Sequence, residues 1–224
     1  MKINTVKAWS YSALALFESC PRQFKYRKID KLPEPKAPAM ARGIAIHNEA
    51  AKFLEGKTDV IPESCKLFED QFRELRDMNP IVEQQWSFTK GYKSVSWFDK
   101  KTHLRIILDA GAEYSDNTAE CIDHKTGKYR EGDHDVYDEQ MDLFAAGMML
   151  RNRLLTSVTT RLWFLDAGEE VIREVSRAQA MLKLDELEDR ADIMLNTERF
   201  PPNPSWKCRF CVWSADDGGQ CEFK

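Results

Sequence analysis

The segment from Leu104 to Lys128, LRIILDAGAEYSDNTAECIDHKTGK, constrains the fold of this chain more than any other. Its apolar runs, separated by a polar cluster, predict two β-strands joined by a tight turn. Successive side chains of a strand point to opposite faces of the sheet. Asp123 and Lys125 therefore share one face of the second strand, and His124 points to the other.

The turn also predicts which residues of the two strands face each other. If Tyr114 pairs with Thr118, the same ladder places Asp109 opposite Asp123, with Cβ atoms about 5 Å apart. Two carboxylates at that distance repel each other unless a cation lies between them, and a divalent metal ion is the usual solution. Both lie in apolar strands, where an unpaired charge is costly. This position therefore favours a metal site over an ordinary exposed Asp–Lys pair.

Composition limits the class of protein. The chain has 224 residues, 42% of them hydrophobic, and a net charge of −4. This length suffices for a buried core. No apolar run reaches the roughly 20 residues of a membrane span, and the N-terminal residues do not resemble a signal peptide. A cytoplasmic protein is expected, acting in a host cytoplasm if it is encoded by a phage. The acidic balance argues against non-specific coating of duplex DNA.

The cysteines indicate a second metal centre. Residues 200–224 are rich in proline and glycine and contain Cys208, Cys211 and Cys221 in the spacing C-x2-C-x9-C. A segment with so little core needs another source of order, and a metal supplies it. Cys20, followed by a proline, is the candidate fourth ligand. Four thiolates suit either zinc or an iron–sulfur cluster, and the spacing leaves both open.

Hydrophobic periodicity predicts the remaining elements. A short N-terminal helix should end at Cys20-Pro21, and in the next helix His47 should point toward the body of the protein. After the N-terminal helix, the predicted helices cover residues 39–54, which include His47, and residues 63–77, 137–154 and 177–197. The predicted strands outside the central hairpin cover residues 81–88, 94–98, 158–165 and 171–175.

Five motifs occur in an order that resembles a known family. They are S-Y-S-A-L…F-E-S-C-P near the N-terminus, G-I-A-I-H (43–47), I-I-L-D-A (106–110), I-D-H-K-T-G (122–127) and Q-M-D-L-F (140–144). Together with the C-terminal cysteines, they resemble the PD-(D/E)xK superfamily, in particular the iron–sulfur members of its RecB-like branch, which includes Cas4 and the AddB nuclease. The resemblance covers nearly the whole chain.

The resemblance implies a fold and a domain organisation. The expected fold is α/β, a restriction-endonuclease-like core with a small mixed sheet flanked by helices. A cysteine-bound cluster would clamp the two ends of the chain. One nuclease domain would span residues 1–224, made of an N-terminal helix and linker (1–38), a nuclease core (39–199) and a cysteine-rich tail (200–224).

The resemblance also implies roles for single residues. Mg²⁺ or Mn²⁺ would be bound by His47, Asp109, Asp123 and the backbone carbonyl of His124. Lys125 would be the catalytic lysine, and Gln140 would support the site or touch DNA. Cys20, Cys208, Cys211 and Cys221 would hold a 4Fe–4S cluster, with Zn²⁺ as the alternative. Phe144 stands where the family usually has tyrosine, so a hydroxyl is missing there.

The implied activity is hydrolysis of DNA phosphodiester bonds by a metal-dependent exonuclease. The expected substrate is single-stranded DNA or DNA with free ends, in recombination, repair or DNA processing, with proteins of those processes as possible partners. The alternative is a Cas4-like accessory protein, or a DNA-binding module without catalysis, within a larger assembly. The intact acidic pair and Lys125 favour the enzyme.

Overall fold

The computed structural model describes residues 4–35, 38–129, 134–215 and 218–223. The α-helices there are α1 (Tyr11–Ser19), α2 (Pro21–Phe24), α3 (Pro38–Leu54), α4 (Glu69–Asp77), α5 (His134–Arg151) and α6 (Arg177–Asn196). The strands are β1 (Ile81–Phe88), β2 (Ser94–Val95), β3 (Leu104–Glu113), β4 (Thr118–Lys125), β5 (Ser157–Phe164) and β6 (Glu169–Ser176). A six-stranded mixed sheet flanked by helices confirms the predicted fold class.

The strands of the sheet follow the order β2-β1-β3-β4-β5-β6. Only the pairing of β4 with β5 is parallel in this sheet, and the other neighbours are antiparallel. Helix α5 lies between β4 and β5 along the chain, because a parallel pair needs a crossover that a helix usually supplies. Strand β4 thus has one antiparallel and one parallel neighbour at the centre of the sheet.

The register of the β3–β4 hairpin is the predicted one. The backbone N–H of Tyr114 donates to the carbonyl of Thr118 at 2.8 Å. The ladder continues to the pair Ala110↔Ile122 and ends there, one step before Asp109 and Asp123. Beyond that point β3 continues beside β1, while β4 continues beside β5. The two central strands therefore part where the predicted acidic pair begins.

The face that β3 presents to the helices changes at the same place. A Cβ on Gly147 of α5 would lie 2.7 Å from the side chain of Ile106, so this half of β3 packs against α5. Ala110 and Ala112, farther along the strand, belong instead to the core that contains Ile46 of α3. Asp109 lies between these two halves of the strand.

Helices α3 and α4 cover one face of the sheet with apolar side chains. This core includes Phe53, Phe72, Leu75 and Trp163, all at most 2% exposed. The amphipathic spacing of the two helices explains their position, because each buries an apolar stripe and leaves its charged face in water. The packing holds α3, which bears His47, against the sheet.

Several predicted boundaries were wrong. Residues 63–77 form a 3₁₀ turn over Glu63–Phe68 followed by α4, rather than one helix. The predicted strand 94–98 is only Ser94–Val95, because residues 96–99 turn, with Asp99 donating its N–H to the carbonyl of Ser96. Helix α5 covers His134–Arg151 rather than residues 137–154. Residues 130–133, just before it, lie outside the described residues.

The N-terminal helix ends at Ser19 as predicted, but the chain then resumes a helical path. Pro21 occupies the first position of α2, where its missing N–H costs nothing and its fixed φ suits a helix. A π-helical turn over Lys25–Ile29 follows. The segment after Cys20 is therefore helical, and it buries Phe24 and Tyr26.

The chain divides into two compact units, Met1–Lys36 with Leu187–Lys224, and Ala37–Glu186. Below, they are called the terminal unit and the central unit. The single nuclease domain over residues 1–224 stays a prediction. None of the helices in the described part of the chain combines the length and apolar composition needed to cross a bilayer.

Candidate active site

The Asp109 side chain takes the place of a backbone hydrogen bond between β3 and β4. Its Oδ2 accepts the backbone N–H of His124 at 2.9 Å, at the level where the β3–β4 ladder has ended. A buried N–H without a partner is costly, so the carboxylate takes over the role of a backbone carbonyl. The Asp109 side chain is only 11% exposed. The parting strands thus fix the Asp109 carboxylate in the gap between them.

A three-membered polar network surrounds the second carboxylate. Lys125 Nζ lies 2.6 Å from Asp123 Oδ2. The same ammonium donates to Gln140 Oε1 at 3.0 Å, and the Gln140 amide donates to Asp123 Oδ1 at 3.3 Å. Alternation along β4 brings Asp123 and Lys125 to one face, and α5 supplies Gln140 to that face. The three predicted residues therefore contact one another.

His47 approaches the site from α3. Its Nδ1 lies 3.2 Å from Asp109 Oδ2, and its imidazole is partly buried. The spacing of α3, with Ile46 and Ala50 inward, turns this side chain toward the sheet. His47 contacts the same carboxylate that holds the His124 backbone.

The imidazole of His124 lies on the opposite face from Lys125, as alternation predicted. It packs against Phe72 and Trp163, with ring centroids 5.2 and 5.7 Å away. Burial lowers the pKa of His124 to about 4, so its ring is neutral. One ring nitrogen of His124, one of His47 and an oxygen of Asp109 lie within 4.8 Å of one another. The structure therefore adds the His124 ring, besides its predicted carbonyl, as a possible ligand.

Sequence reasoning missed Glu83 of β1. The β1–β3 ladder includes Val82↔Ala110 and Gln84↔Leu108 and skips the pair between them, which is Glu83 with Asp109. Glu83 has φ +45°, a left-handed conformation that is strained for a residue with a side chain. Its carboxylate lies 4.0 Å from His47 Nδ1. Three acidic residues thus occupy one row across β1, β3 and β4.

The signal for Glu83 in the sequence is weak. Its strand reads IVEQQWSF, and a glutamate in a strand is usually a solvent-facing residue. Neither the backbone conformation nor the neighbouring strand could be read from those letters. The position becomes meaningful only once β1 is known to pair with β3 in this register.

The charges of the site are unbalanced toward the negative. Burial raises the pKa of Asp123 to about 6, against the attraction of Lys125 and with repulsion from Asp109 adding to it. Burial alone would raise the pKa of Asp109 as well, but the hydrogen bond from His47 lowers it below its ordinary value. Burial, followed by repulsion from Asp109, raises the pKa of Glu83.

Neighbouring carboxylates raise the pKa values of both His47 and Lys125. The hydrogen bond to Asp109 raises the pKa of His47 above that of a free imidazole. Burial acts to lower the pKa of Lys125, yet the attraction of Asp123 outweighs it and raises that pKa. Lys125 is therefore an ammonium in the metal-free protein, and it is also 5.2 Å from the ring of Tyr137.

The side chains fit a divalent cation. Carboxylate oxygens are the ligands that Mg²⁺ prefers, and imidazole nitrogen also suits Mn²⁺. In the part of the chain that the structure describes, the buried Nε2 of His124 has no hydrogen-bond partner. Repulsion from Asp109 contributes to the raised pKa of Asp123, so a cation between the two carboxylates would relieve that repulsion.

The four cysteines of the predicted cluster meet in the terminal unit. Cys20, Cys208, Cys211 and Cys221 line one small cavity, together with Tyr26. Burial raises the pKa of Cys211, and the neighbouring thiolates raise it further. Four cysteines around one cavity fit a metal centre, which would bind them as thiolates.

The other two cysteines do not fit a metal site. Cys65 and Cys121 are fully buried in the central unit. Burial raises the pKa of Cys65 to about 11 and that of Cys121 well above its ordinary value. These thiols therefore stay protonated and serve as small apolar core residues.

The model of the PD-(D/E)XK nuclease superfamily matches residues 8–108 and 105–215 of this chain. No curated protein sequence matches it.

Two solved structures share the fold. The first is SSO0001, with 14% sequence identity and a TM-score of 0.52, where the match covers 96% of this chain and 86% of that one. The second, from Eubacterium rectale, carries the name "Putative exonuclease". It has 12% identity and a TM-score of 0.54, over 92% of this chain and 87% of that one. Because the family model spans nearly the whole chain, this protein belongs to the PD-(D/E)XK nuclease superfamily.

Proposed function

We propose that this metal-dependent nuclease is a deoxyribonuclease that degrades single-stranded DNA or DNA ends during recombination, repair or DNA processing. The observation that carries the proposal is the network of Asp123, Lys125 and Gln140 beside Asp109, at the point where β3 and β4 part. The preference for exonuclease action rests on the resemblance of the motifs to the RecB-like branch.

Asp109, Asp123 and His47 would hold the divalent cation, with His124 as a further ligand through its carbonyl. When bound, the cation would neutralise charge on a phosphoryl oxygen and lower the pKa of a water molecule. Asp109 is fixed for this role because it is tied to the backbone of His124. Asp123 is fixed because Gln140 and Lys125 each hold one of its oxygens.

Lys125 would act on the substrate through its charge. It is an ammonium, so it can donate to a phosphate oxygen or orient a water, and it cannot accept a proton in this state. Gln140 and Asp123 direct its Nζ, and low exposure strengthens its field. A preorganised donor of this kind stabilises the negative charge that develops in the transition state.

Replacing Lys125 by alanine is expected to lower DNA cleavage by about 100-fold or more, the usual effect of losing one such donor. The measurement is degradation of end-labelled single- and double-stranded DNA with Mg²⁺ or Mn²⁺, which also gives polarity. Lys128→Ala is the matched control, because Lys128 is an exposed lysine three positions away.

Equal cleavage by Lys125→Ala and Lys128→Ala would contradict the assigned site. If the wild type binds DNA but does not cut it with either metal, the protein is a DNA-binding or Cas4-like accessory module instead. Asp123→Asn separates the two cases further, because it should abolish cleavage while preserving DNA binding.

Glu83→Gln is expected to weaken Mn²⁺ binding by about 10-fold, the lower end of what partners of metal ligands contribute. Glu83→Gly should weaken Mn²⁺ binding as well, yet it should not lower the midpoint of urea unfolding, because glycine adopts φ +45° without strain. Electron paramagnetic resonance of free Mn²⁺ gives the affinity without any cleavage assay. Glu74→Gln, on the exposed face of α4, controls for the lost charge.

Unchanged Mn²⁺ affinity in both Glu83 variants would show that Glu83 has no part in the site. A fall in the unfolding midpoint of Glu83→Gly would show that its backbone conformation is not a strained one.

We propose further that Cys20, Cys208, Cys211 and Cys221 hold a 4Fe–4S cluster, as in the iron–sulfur members of the RecB-like branch. Their shared cavity supports this assignment. The cluster would close a long loop between residue 20 and the tail, and such closures stabilise a chain chiefly by restricting its unfolded state. Its role would then be structural.

Protein purified without air is expected to be brown, with broad visible absorption and bound iron. Cys208→Ser should lose iron and colour, whereas Cys121→Ser should keep both because that thiol is buried in β4. A colourless protein with stoichiometric zinc would contradict the iron–sulfur assignment in favour of zinc. Absence of both metals would contradict a metal centre at these cysteines.

A further inference from the structure

An exposed aromatic surface lies beside the cysteines in the terminal unit. Trp206 and Phe210 begin and end a 3₁₀ turn, and they are 65% and 68% exposed. Their rings meet edge to face with centroids 6.1 Å apart. Arg209 lies between them, its guanidinium carbon 5.4 Å from the Trp206 ring and 4.7 Å from the Phe210 ring. These three residues are called the stacking patch below.

Such exposure is unusual for large aromatic side chains. A tryptophan and a phenylalanine left in water forgo the free energy that their burial would contribute. Neighbouring exposed aromatics with a cation on their faces are typical of surfaces that bind single-stranded nucleic acid, where bases stack on the rings. The adjacent Arg209 guanidinium adds a stacking plane and a positive charge.

The terminal unit as a whole has a small positive net charge, which suits a polyanion. The terminal unit, residues 1–36 and 187–224, has 13 Lys and Arg against 10 Asp and Glu. The central unit, residues 37–186, has 20 against 27. The net negative charge of the protein therefore resides in the central unit, and the terminal unit is basic.

Arg209 differs from the basic residues near the N-terminus. Lys25 and Arg27 form ion pairs with Asp30 and Glu34, so their charges are already neutralised within the protein. Arg209 instead contacts aromatic rings, and in the described part of the chain no carboxylate pairs with it. Its charge is therefore available to a phosphate.

The turn that bears the stacking patch is fixed at its start. The Ser205 hydroxyl accepts the N–H of Lys207, and the Ser205 carbonyl accepts the N–H of Cys208. Cys208 is also one of the four cysteines that line the shared cavity. A metal centre at the cysteines would hold the patch in place from within the same turn.

We infer that the stacking patch binds single-stranded DNA, with Trp206 and Phe210 stacking on bases and Arg209 contacting a base or phosphate. The inference deepens the proposed function and rests on it for the identity of the ligand. It assigns a nucleic-acid contact to residues outside the candidate active site.

The test measures binding of fluorescein-labelled oligothymidine by fluorescence anisotropy, without divalent cations, in the Lys125→Ala background so that the probe stays intact. Adding Trp206→Ala and Phe210→Ala is expected to weaken binding at least about 10-fold, since each stacked base contributes roughly 1–3 kcal/mol. Adding Phe98→Ala instead, a phenylalanine 87% exposed in the central unit, should change affinity less than about 2-fold.

Blunt duplex DNA provides a second comparison, because its bases are already stacked on one another. The double replacement should weaken duplex binding less than oligothymidine binding. Iron or zinc content of each variant shows that the turn is intact.

Oligothymidine binding unchanged by the double replacement, at unchanged metal content, would overturn the inference. An equal loss of affinity for duplex and single strand would also overturn the inference, because base stacking would not explain such a loss.

Cleavage of single-stranded DNA by the wild type is measured separately. If the wild type cuts and the double replacement binds normally, only the patch assignment fails. If the wild type does not cut in any condition, the proposed function fails.

Discussion

The hydrogen bond from the His124 backbone N–H to the Asp109 carboxylate is the contact on which the site depends. It occupies the gap that opens where the β3–β4 ladder ends at Ala110↔Ile122. A carboxylate in that gap satisfies a buried backbone donor and remains directed toward His47. Glu83 and Asp123 are brought to the same row by the registers of β1 and β4. The acidic site is thus a property of strand geometry, and a site on loops would be less rigid.

Much of the fold and of the candidate site could be predicted from the sequence, because the informative signals are local. A short polar turn fixes the register of a hairpin, so Tyr114↔Thr118 was enough to align Asp109 with Asp123. Alternation along β4 separated Lys125 from His124. The cysteine spacing and the proline-rich tail predicted that Cys208 and its neighbours come together, and they line one cavity. The fold class and the nuclease superfamily followed from the order of the motifs.

The remainder depends on contacts between distant segments. Glu83 looks like any polar strand residue until β1 is paired with β3. Its positive φ could not be predicted either, because the residue is neither glycine nor asparagine. Helical structure after Cys20 reflects burial of Phe24 and Tyr26, which overrides the break that a proline usually marks. The shortness of β2 is set by a turn at Ser96, where the chain leaves the sheet edge. None of these can be inferred from propensity within one segment.

The shared metal site is tested most directly by the anomalous diffraction of Mn²⁺ in crystals of the protein. We expect a peak in the gap between β3 and β4, within about 2.5 Å of an oxygen of Asp109 and an oxygen of Asp123. His47 should lie beside it. A crystal that holds Mn²⁺ elsewhere, while these two carboxylates share no ion, would show that the proposed metal site is wrong.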